Sequence, residues 1–323
     1  MNKGINVLSL CDGMSCGSMV FEKLGIKVNS YYASEIKPIA IQATKTNFPN
    51  VIQIGDVNNV SYDGKVLHTD NGDFEVSFDI VMFGSPCQSF SRAMNANMRI
   101  GLDDNVRSGI FKECYRVLKE VNPKYFLMEN VVMNGEDENY ISSLMGVNPI
   151  RINSSVITGQ MRDRLYWTNV PQIGSITPKD VTVNDILTDG YYPYDKSRCL
   201  MKNDSHGYYN GCGFTRVKRF YRWYYKAFST LVFNSKEDFE KCRDAFHNLI
   251  QNGEKVSAKM FDDYEGHDFD NFRYLWKEER ARLQTVPEKY VACLSEQDAA
   301  DLIGDGWTVD VIAHLLSGLK KEF

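Results

Sequence analysis

The stretch that decides the fold is Ile5-Asn6-Val7-Leu8-Ser9-Leu10-Cys11-Asp12-Gly13-Met14-Ser15-Cys16-Gly17. Residues 5–10 form a short apolar run closed by Asp12-Gly13. Helical spacing then runs from Gly17 to Leu24. A strand that stops at a glycine turn and feeds a helix is the opening unit of an α/β sheet. The alternation repeats outward. Strands are predicted over Val28–Ala33, Val51–Ile54, Asp79–Phe83 and Tyr125–Met128, and helices over Ile36–Asn47 and Arg107–Val121. Short continuous apolar strands between amphipathic helices predict a doubly wound, mostly parallel sheet.

From about Pro171 the pattern changes. Residues 172–270 are rich in Tyr, Phe, Asn and Asp with weak periodicity, and helical spacing returns at Lys277–Thr285 and Trp307–Leu319. This predicts an α/β domain over residues 1–171 and a smaller irregular insert over 172–271. A C-terminal segment, 272–323, is expected to return to the first domain. A length of 323 residues suits two domains. A chain 43% hydrophobic and 24% charged excludes disorder, collagen and coiled coil as whole-chain readings. No run approaches the roughly 18 apolar residues of a membrane helix, and no signal peptide is read at the N-terminus. Of eight cysteines none form Cys-x-x-Cys, and with five histidines they make no metal pattern, so free thiols, a reducing cytoplasmic setting and no metal are expected. The net charge of −5 means that a nucleic-acid partner needs locally concentrated positive charge.

Ligands of open α/β sheets bind at the carboxyl ends of the strands. Gly13 and Gly17 allow close backbone approach there, beside Cys11, Asp12 and Cys16. Glu35 ends the second strand, in the place of an acid that bonds ribose hydroxyls, and Asp56 ends the third, placed to accept from an adenine amine. Together these imply an adenosine-containing cofactor, although turn glycines and solvated acids account for any one of them. Gly84-Ser85-Pro86-Cys87-Gln88 exposes a cysteine at a strand end, either a nucleophile or a small buried apolar residue. Glu129-Asn130 ends another strand as a general-acid candidate or a capping pair. In Gln160-Met161-Arg162-Asp163-Arg164 the period of two puts Arg162 and Arg164 on one strand face, for a phosphate and a carbonyl or for surface ion pairs.

The order of these motifs resembles the cytosine-C5 DNA methyltransferase family over most of the chain. Asp12-Gly13 to Gly17, Ser85-Pro86-Cys87-Gln88, Glu129-Asn130-Val131 and Gln160-x-Arg162-x-Arg164 follow the family's order. Arg273-x-Leu275, Arg282-Leu283-Gln284-x-x-Pro287 and Gly304-Asp305-Gly306-Trp307-Thr308-Val309 complete it. The likeness is strongest to phage and prophage solitary enzymes and extends to the vertebrate de novo enzymes. One departure is Cys11, where the family usually has Phe.

The resemblance implies the S-adenosylmethionine-dependent methyltransferase fold with an inserted target-recognition domain. It implies transfer of a methyl group to C5 of a flipped cytosine in duplex DNA through a Cys87–C6 adduct. Glu129 would hold N3 and the exocyclic amine, Asn130 would order the loop, Arg164 would bond O2, and Arg162 would hold the catalytic loop or a phosphate. S-adenosylmethionine, leaving as S-adenosylhomocysteine, would be held by Cys11, Asp12, Gly13, Cys16, Gly17, Glu35, Ile36, Asp56, Val57, Ser85, Pro86, Leu102, Gly306 and Trp307. DNA contacts are expected from Gln88, Ser89, Ser91 and Arg99 in a loop closing over residues 89–102. Further contacts are expected from Arg216, Lys218, Arg219, Arg222, Ser229 and Thr230 in a basic, aromatic stretch whose acidic neighbours, 254–270, face away from DNA. A monomer acting in a prokaryotic or phage-infected cell, with no obligatory restriction partner, completes the expectation. A tRNA cytosine methyltransferase, a silent DNA-binding partner and a nucleotide-dependent oxidoreductase are the competing readings.

Overall fold

Strand β1 (Ile5–Leu10) is buried along almost its whole length, which only a central strand covered on both faces can satisfy. The computed structural model describes residues 4–86, 109–171, 174–201, 215–226, 229–250 and 256–323. These fall into two compact units. The first comprises residues 1–153, 163–176 and 307–323, and the second residues 154–162 and 177–306.

In the first unit β1 pairs in parallel with β2 (Val28–Ser34) on one side and β7 (Ile80–Gly84) on the other. The full seven-stranded order is β3-β2-β1-β7-β8-β10-β9, with β3 at Ile52–Gly55, β8 at Tyr125–Val131, β9 at Ile150–Asn153 and β10 at Asp163–Thr168. Strand β10 runs antiparallel to both β8 and β9. The order in which strands are added reverses between β1 and β7, so the crevice at their carboxyl ends is the place where such a sheet accepts a ligand.

Helix α1 (Cys16–Leu24) ends at Gly25, whose φ of 67° permits its N–H to close on Glu22 and that of Ile26 on Phe21. Helix α2 (Pro38–Asn47) begins with proline, whose missing N–H is no loss in a first turn. Helix α3 is Gly109–Val121, and α4 (Gly135–Met145) is capped by the Asn134 side chain on the Asp137 N–H. Leu10, Phe83, Phe111, Met128 and Trp167 lie in one continuous core beneath the sheet's carboxyl edge. Strands β4 (Ser61–Tyr62), β5 (Val66–Thr69) and β6 (Gly72–Glu75) form a separate antiparallel sheet that the apolar periodicity does not reveal.

The second unit is built on a two-stranded antiparallel sheet, β11 (Leu231–Phe233) with β12 (Phe272–Tyr274). Around it lie α5 (Arg216–Tyr224), α6 (Lys236–Leu249), α7 (Lys277–Leu283), α8 (Glu288–Val291) and α9 (Glu296–Asp305). Residues 277–306 group with this unit, not with the first, and only 307–323, with α10 (Val309–Leu316), return. The reason is visible in the bonding. The Gln160 amide donates to Gln284 Oε1 at 2.7 Å, and Gln284 donates to the Ile303 and Gly306 carbonyls. That buried polar chain ties residue 160 to the segment before Trp307. No described helix is long and apolar enough to cross a membrane.

Candidate active site

Five parallel strands deliver their carboxyl ends to one edge, and the singled-out residues of the first unit stand there. Cys11–Gly17 follow β1, Glu35–Ile36 follow β2, Asp56–Val57 follow β3, Ser85–Pro86 follow β7, and Glu129–Asn130 lie near the carboxyl end of β8. Gly13 adopts φ 60°, and nothing lies within 4 Å of where a Cβ would sit. Its N–H donates to Glu35 Oε2 at 2.8 Å, while Glu35 Oε1 accepts from the Ile36 and Lys37 N–H groups. One carboxylate therefore fixes both the glycine turn and the entry to α2. The Ile36 side chain is left 65% exposed at this edge. Asp56 Oδ1 is occupied by the Asn58 backbone and side-chain N–H groups, and Oδ2 has no partner among the described residues. An open glycine turn, an exposed aliphatic side chain and a free carboxylate oxygen fit the amine edge and flat face of adenine.

Gly17 is demanded by packing: a Cβ there would meet Met82 Cε at 2.4 Å and Tyr31 Oη at 2.5 Å. Tyr31 donates to Asp12 Oδ1 at 2.7 Å, and the Ser15 hydroxyl donates to Asp12 Oδ2. Burial pushes the Asp12 carboxyl up to about 6, although these donors oppose the shift; the Glu35 charge adds to it. Cys11, at φ 53°, places its sulfur 3.8 Å from that of Cys114 on α3. Its bond to Cys11, with burial, holds the Cys114 thiol protonated well above the ordinary range.

The second cluster centres on Glu129. Its Oε1 is 2.9 Å from Arg164 Nε, and its Oε2 accepts from Trp307 Nε1 at 3.2 Å. The pairing register explains the first contact. Arg164 lies opposite Val131, so on the shared face it is diagonal to Glu129. The ion pair is nearly buried, with side chains 13% and 11% exposed, so each charge depends on the other. Gly84 makes room: a Cβ there would come within 2.8 Å of Trp307 Nε1 and 3.1 Å of Glu129 Oε2. Asn130 is buried, with Oδ1 on the Val131 N–H and Nδ2 donating to Ser85 Oγ at 3.2 Å. It thus ties the end of β8 to the Ser85-Pro86 turn that precedes Cys87.

Other expectations need correction. Arg162 and Arg164 do not share a strand face, because β10 begins at Asp163. Buried Arg162 donates to the Gly306 carbonyl at 2.7 Å, the Gly304 carbonyl at 3.2 Å and Cys199 Sγ at 3.4 Å, all within the second unit. Arg216 is half-buried and its guanidinium is spent within the unit. It donates to the carbonyls of Phe269, Asp270 and Phe272 and stacks on the Phe272 ring at 3.9 Å. Lys218 pairs with Asp262, so part of the acidic stretch packs against the basic helix. The interleaved aromatics Phe220, Tyr221 and Trp223 are core, packed on Phe233, Phe246 and Phe261. Arg219 and Arg222 are half-buried, Ser229 sits at φ 66°, and Thr230 is buried before β11. Cys87, Gln88, Ser89, Ser91, Arg99 and Leu102 lie outside the described residues.

Tyr31 and the Trp307–Glu129 bond are parts of the site that the sequence reading misses. Tyr31 reads as an ordinary inward strand position, and only its partner Asp12 gives it a role. No group of three or more His, Cys, Asp or Glu among the described residues is arranged to hold a metal.

The family model for C-5 cytosine-specific DNA methylase matches residues 5–141. Type II methyltransferase M1.ScrFI of Lactococcus lactis subsp. cremoris is 39% identical over 321 residues, covering 88% of this chain and 70% of that protein. Type II methyltransferase M.NlaIV of Neisseria lactamica is 34% identical over 131 residues, which is 39% of this chain but only 28% of that relative's length. Among solved structures, a mutant DNMT2 of Spodoptera frugiperda superimposes with TM-score 0.61 at 19% identity, covering 98% of this chain and 100% of its own, a likeness of fold.

Proposed function

The chain belongs to the C-5 cytosine-specific DNA methylase family, and from that premise we propose that it methylates C5 of a cytosine within duplex DNA, using S-adenosylmethionine. The observation that carries this reading is the Glu129 carboxylate, held between Arg164 and Trp307 at the end of β8 and tied through Asn130 and Ser85 to the turn before Cys87.

Cytosine is a poor carbon nucleophile. In the proposed reaction the Cys87 thiolate adds to C6, and its electron pair is carried through the ring toward N3 and O2. Glu129 bonds N3 and the exocyclic amine, and the Arg164 guanidinium offers donors to O2, where negative charge develops. C5 is then enamine-like. S-adenosylmethionine supplies an electrophilic methyl group when bound. A base, for which water suffices, takes the C5 proton, and as the C6–S bond breaks the Cys87 thiolate leaves and the aromatic ring is restored. Attack on C6 needs a ring face hidden in the duplex, so the base is flipped out. The Gly13 turn, Glu35, Ile36, Asp56 and Val57 hold the adenosine end. The second unit supplies target recognition, with Arg219 and Arg222 as its basic contacts and Ser229–Thr230 at the start of β11. All residues invoked lie in one chain, so a monomer suffices, and no cognate restriction endonuclease is required.

The test is bisulfite sequencing of plasmid DNA from a methylation-free host expressing wild type or Cys87→Ser. Protection of cytosines in one short motif with wild type only is expected. Soluble wild-type protein giving no protection would overturn the DNA reading.

A further inference from the structure

The β4–β6 sheet takes no part in the chemistry proposed above, yet its tip reaches the turn after β3. Asp70, between β5 and β6, accepts from the Asp56 N–H at 3.1 Å and from Asn59 Nδ2 at 2.9 Å on one oxygen and 3.1 Å on the other. Its neighbour Asn71 donates to the Gln53 carbonyl at 2.9 Å. The tip thus grips the Gly55–Asp56 turn from both sides. Gly55 completes the fit. At φ 86° it carries no side chain, and a Cβ there would come within 2.8 Å of Asp70 Oδ2 and 3.0 Å of Asp70 Cβ. The turn and the carboxylate are shaped to each other, and Asp56 is the residue with a free oxygen at the sheet edge.

We propose that Asp70 is a positioning residue for adenine recognition, fixing the turn that presents Asp56 and Val57 to the cofactor. The proposal rests on the S-adenosylmethionine reading above. Asp70 acts through the turn and does not touch the ligand. Removing its acceptors frees the Asp56 N–H and lets the turn spread, which weakens binding of the adenosine end without altering the reacting atoms.

The full chain is titrated with S-adenosylhomocysteine and with adenosine, as wild type, Asp70→Ala, Asp70→Asn and Asp56→Ala. Asp70→Ala is expected to raise Kd for both ligands by the same factor, about five- to tenfold, while kcat at saturating S-adenosylmethionine stays within twofold. Asp70→Asn keeps one acceptor oxygen and should recover most of the loss. If Asp70→Ala binds both ligands as wild type does while Asp56→Ala does not, the positioning role is overturned and the cofactor reading stands. If Asp56→Ala also binds normally, the turn is not the adenine site and the positioning role falls with it; wild type that binds neither ligand would overturn the cofactor reading instead. A fall in kcat and Tm together in Asp70→Ala, not rescued by Asn, would make Asp70 a general structural residue and overturn the proposal.

Discussion

Arg164 and Glu129 meet across an antiparallel pair, Nε to Oε1 at 2.9 Å, because β10 enters the sheet against the direction of β8. A reversed strand starts where its neighbours end, so its first residues join the carboxyl edge. Arg164→Ala and Glu129→Gln should each lower kcat by about 10²- to 10³-fold, the usual effect of losing one donor or acceptor on developing charge. S-adenosylhomocysteine affinity should stay within twofold. Single-turnover methylation beside a binding titration separates the two effects, and a loss confined to cofactor affinity would contradict the assignment.

Asp12 gives a pH signature. Its folded carboxyl is raised to about 6, above the ordinary 3.8, so the folded state binds the extra proton. The neutral form fits fully below the unfolded value. Stability is lost as pH rises from about 4 to about 6, by up to about 3 kcal/mol. Asp12→Asn, which cannot ionise, should gain Tm relative to wild type at pH 8 and show little difference at pH 4. Equal Tm differences at both pH values would show that burial does not set this group.

Gly17→Ala should destabilise by about 1–3 kcal/mol, the cost of overpacking a tight core. The Met82 methyl can rotate away, but the Tyr31 hydroxyl is anchored on Asp12. Urea unfolding of Gly17→Ala, Met82→Ala and the double variant checks this as a cycle, because buried Met82 carries its own cavity cost. Measured against Met82→Ala, the Gly17→Ala cost should shrink only in part, and its disappearance would show that Tyr31 yields freely.

Arg162 should behave as a brace. Arg162→Lys loses the forked reach to the Gly304 and Gly306 carbonyls, of which Gly306 keeps its Gln284 donor, and should cost about 1–2 kcal/mol of stability. The salt dependence of DNA binding should keep its slope. A residue on a phosphate would reduce that slope by about 0.9 when replaced by a neutral side chain, so the same titration with Arg162→Gln decides between the roles.

Cys11 occupies a place usually filled by an aromatic ring in the family, and its sulfur rests on buried Cys114. Cys114→Ala removes the sulfur that Cys11 rests on, so Cys11→Phe combined with it should tighten S-adenosylhomocysteine binding by about three- to fivefold in calorimetry. Cys11→Phe alone should gain less, because it presses on the Cys114 sulfur. Unchanged or weaker affinity in the double variant would discount the ring contact.

The parallel strands were legible because buried strands are written as unbroken apolar runs, Ile5–Leu10 and Ile80–Gly84 above all. Strand ends were legible because turns need glycine and proline. The β4–β6 sheet was not, since Ser61–Tyr62 and Gly72–Glu75 are short and largely polar, though Asp70-Asn71-Gly72 is a hairpin signal. Helix α6 escaped although Ser235 caps it on the Asp238 N–H. Of the site, the carboxylates and glycines could be placed from local pattern alone. The partition of Arg162 and Arg164 between different duties could not, because it depends on carbonyls at 304 and 306, far along the chain. The aromatic run at 220–225 shows the same limit: composition marks rings, and only packing tells core from contact.

The first unit takes its final piece from residues 307–323, after the whole of the second unit has been spelled out. A chain leaving the ribosome therefore presents every residue of the second unit before the first can close. Until Trp307 emerges, Glu129 lacks its indole partner, and the face of α1 that receives α10 stands bare. The carboxylate site is thus assembled only after residues 177–306 have been made, and a nascent chain stalled short of Trp307 carries the second unit without a finished centre.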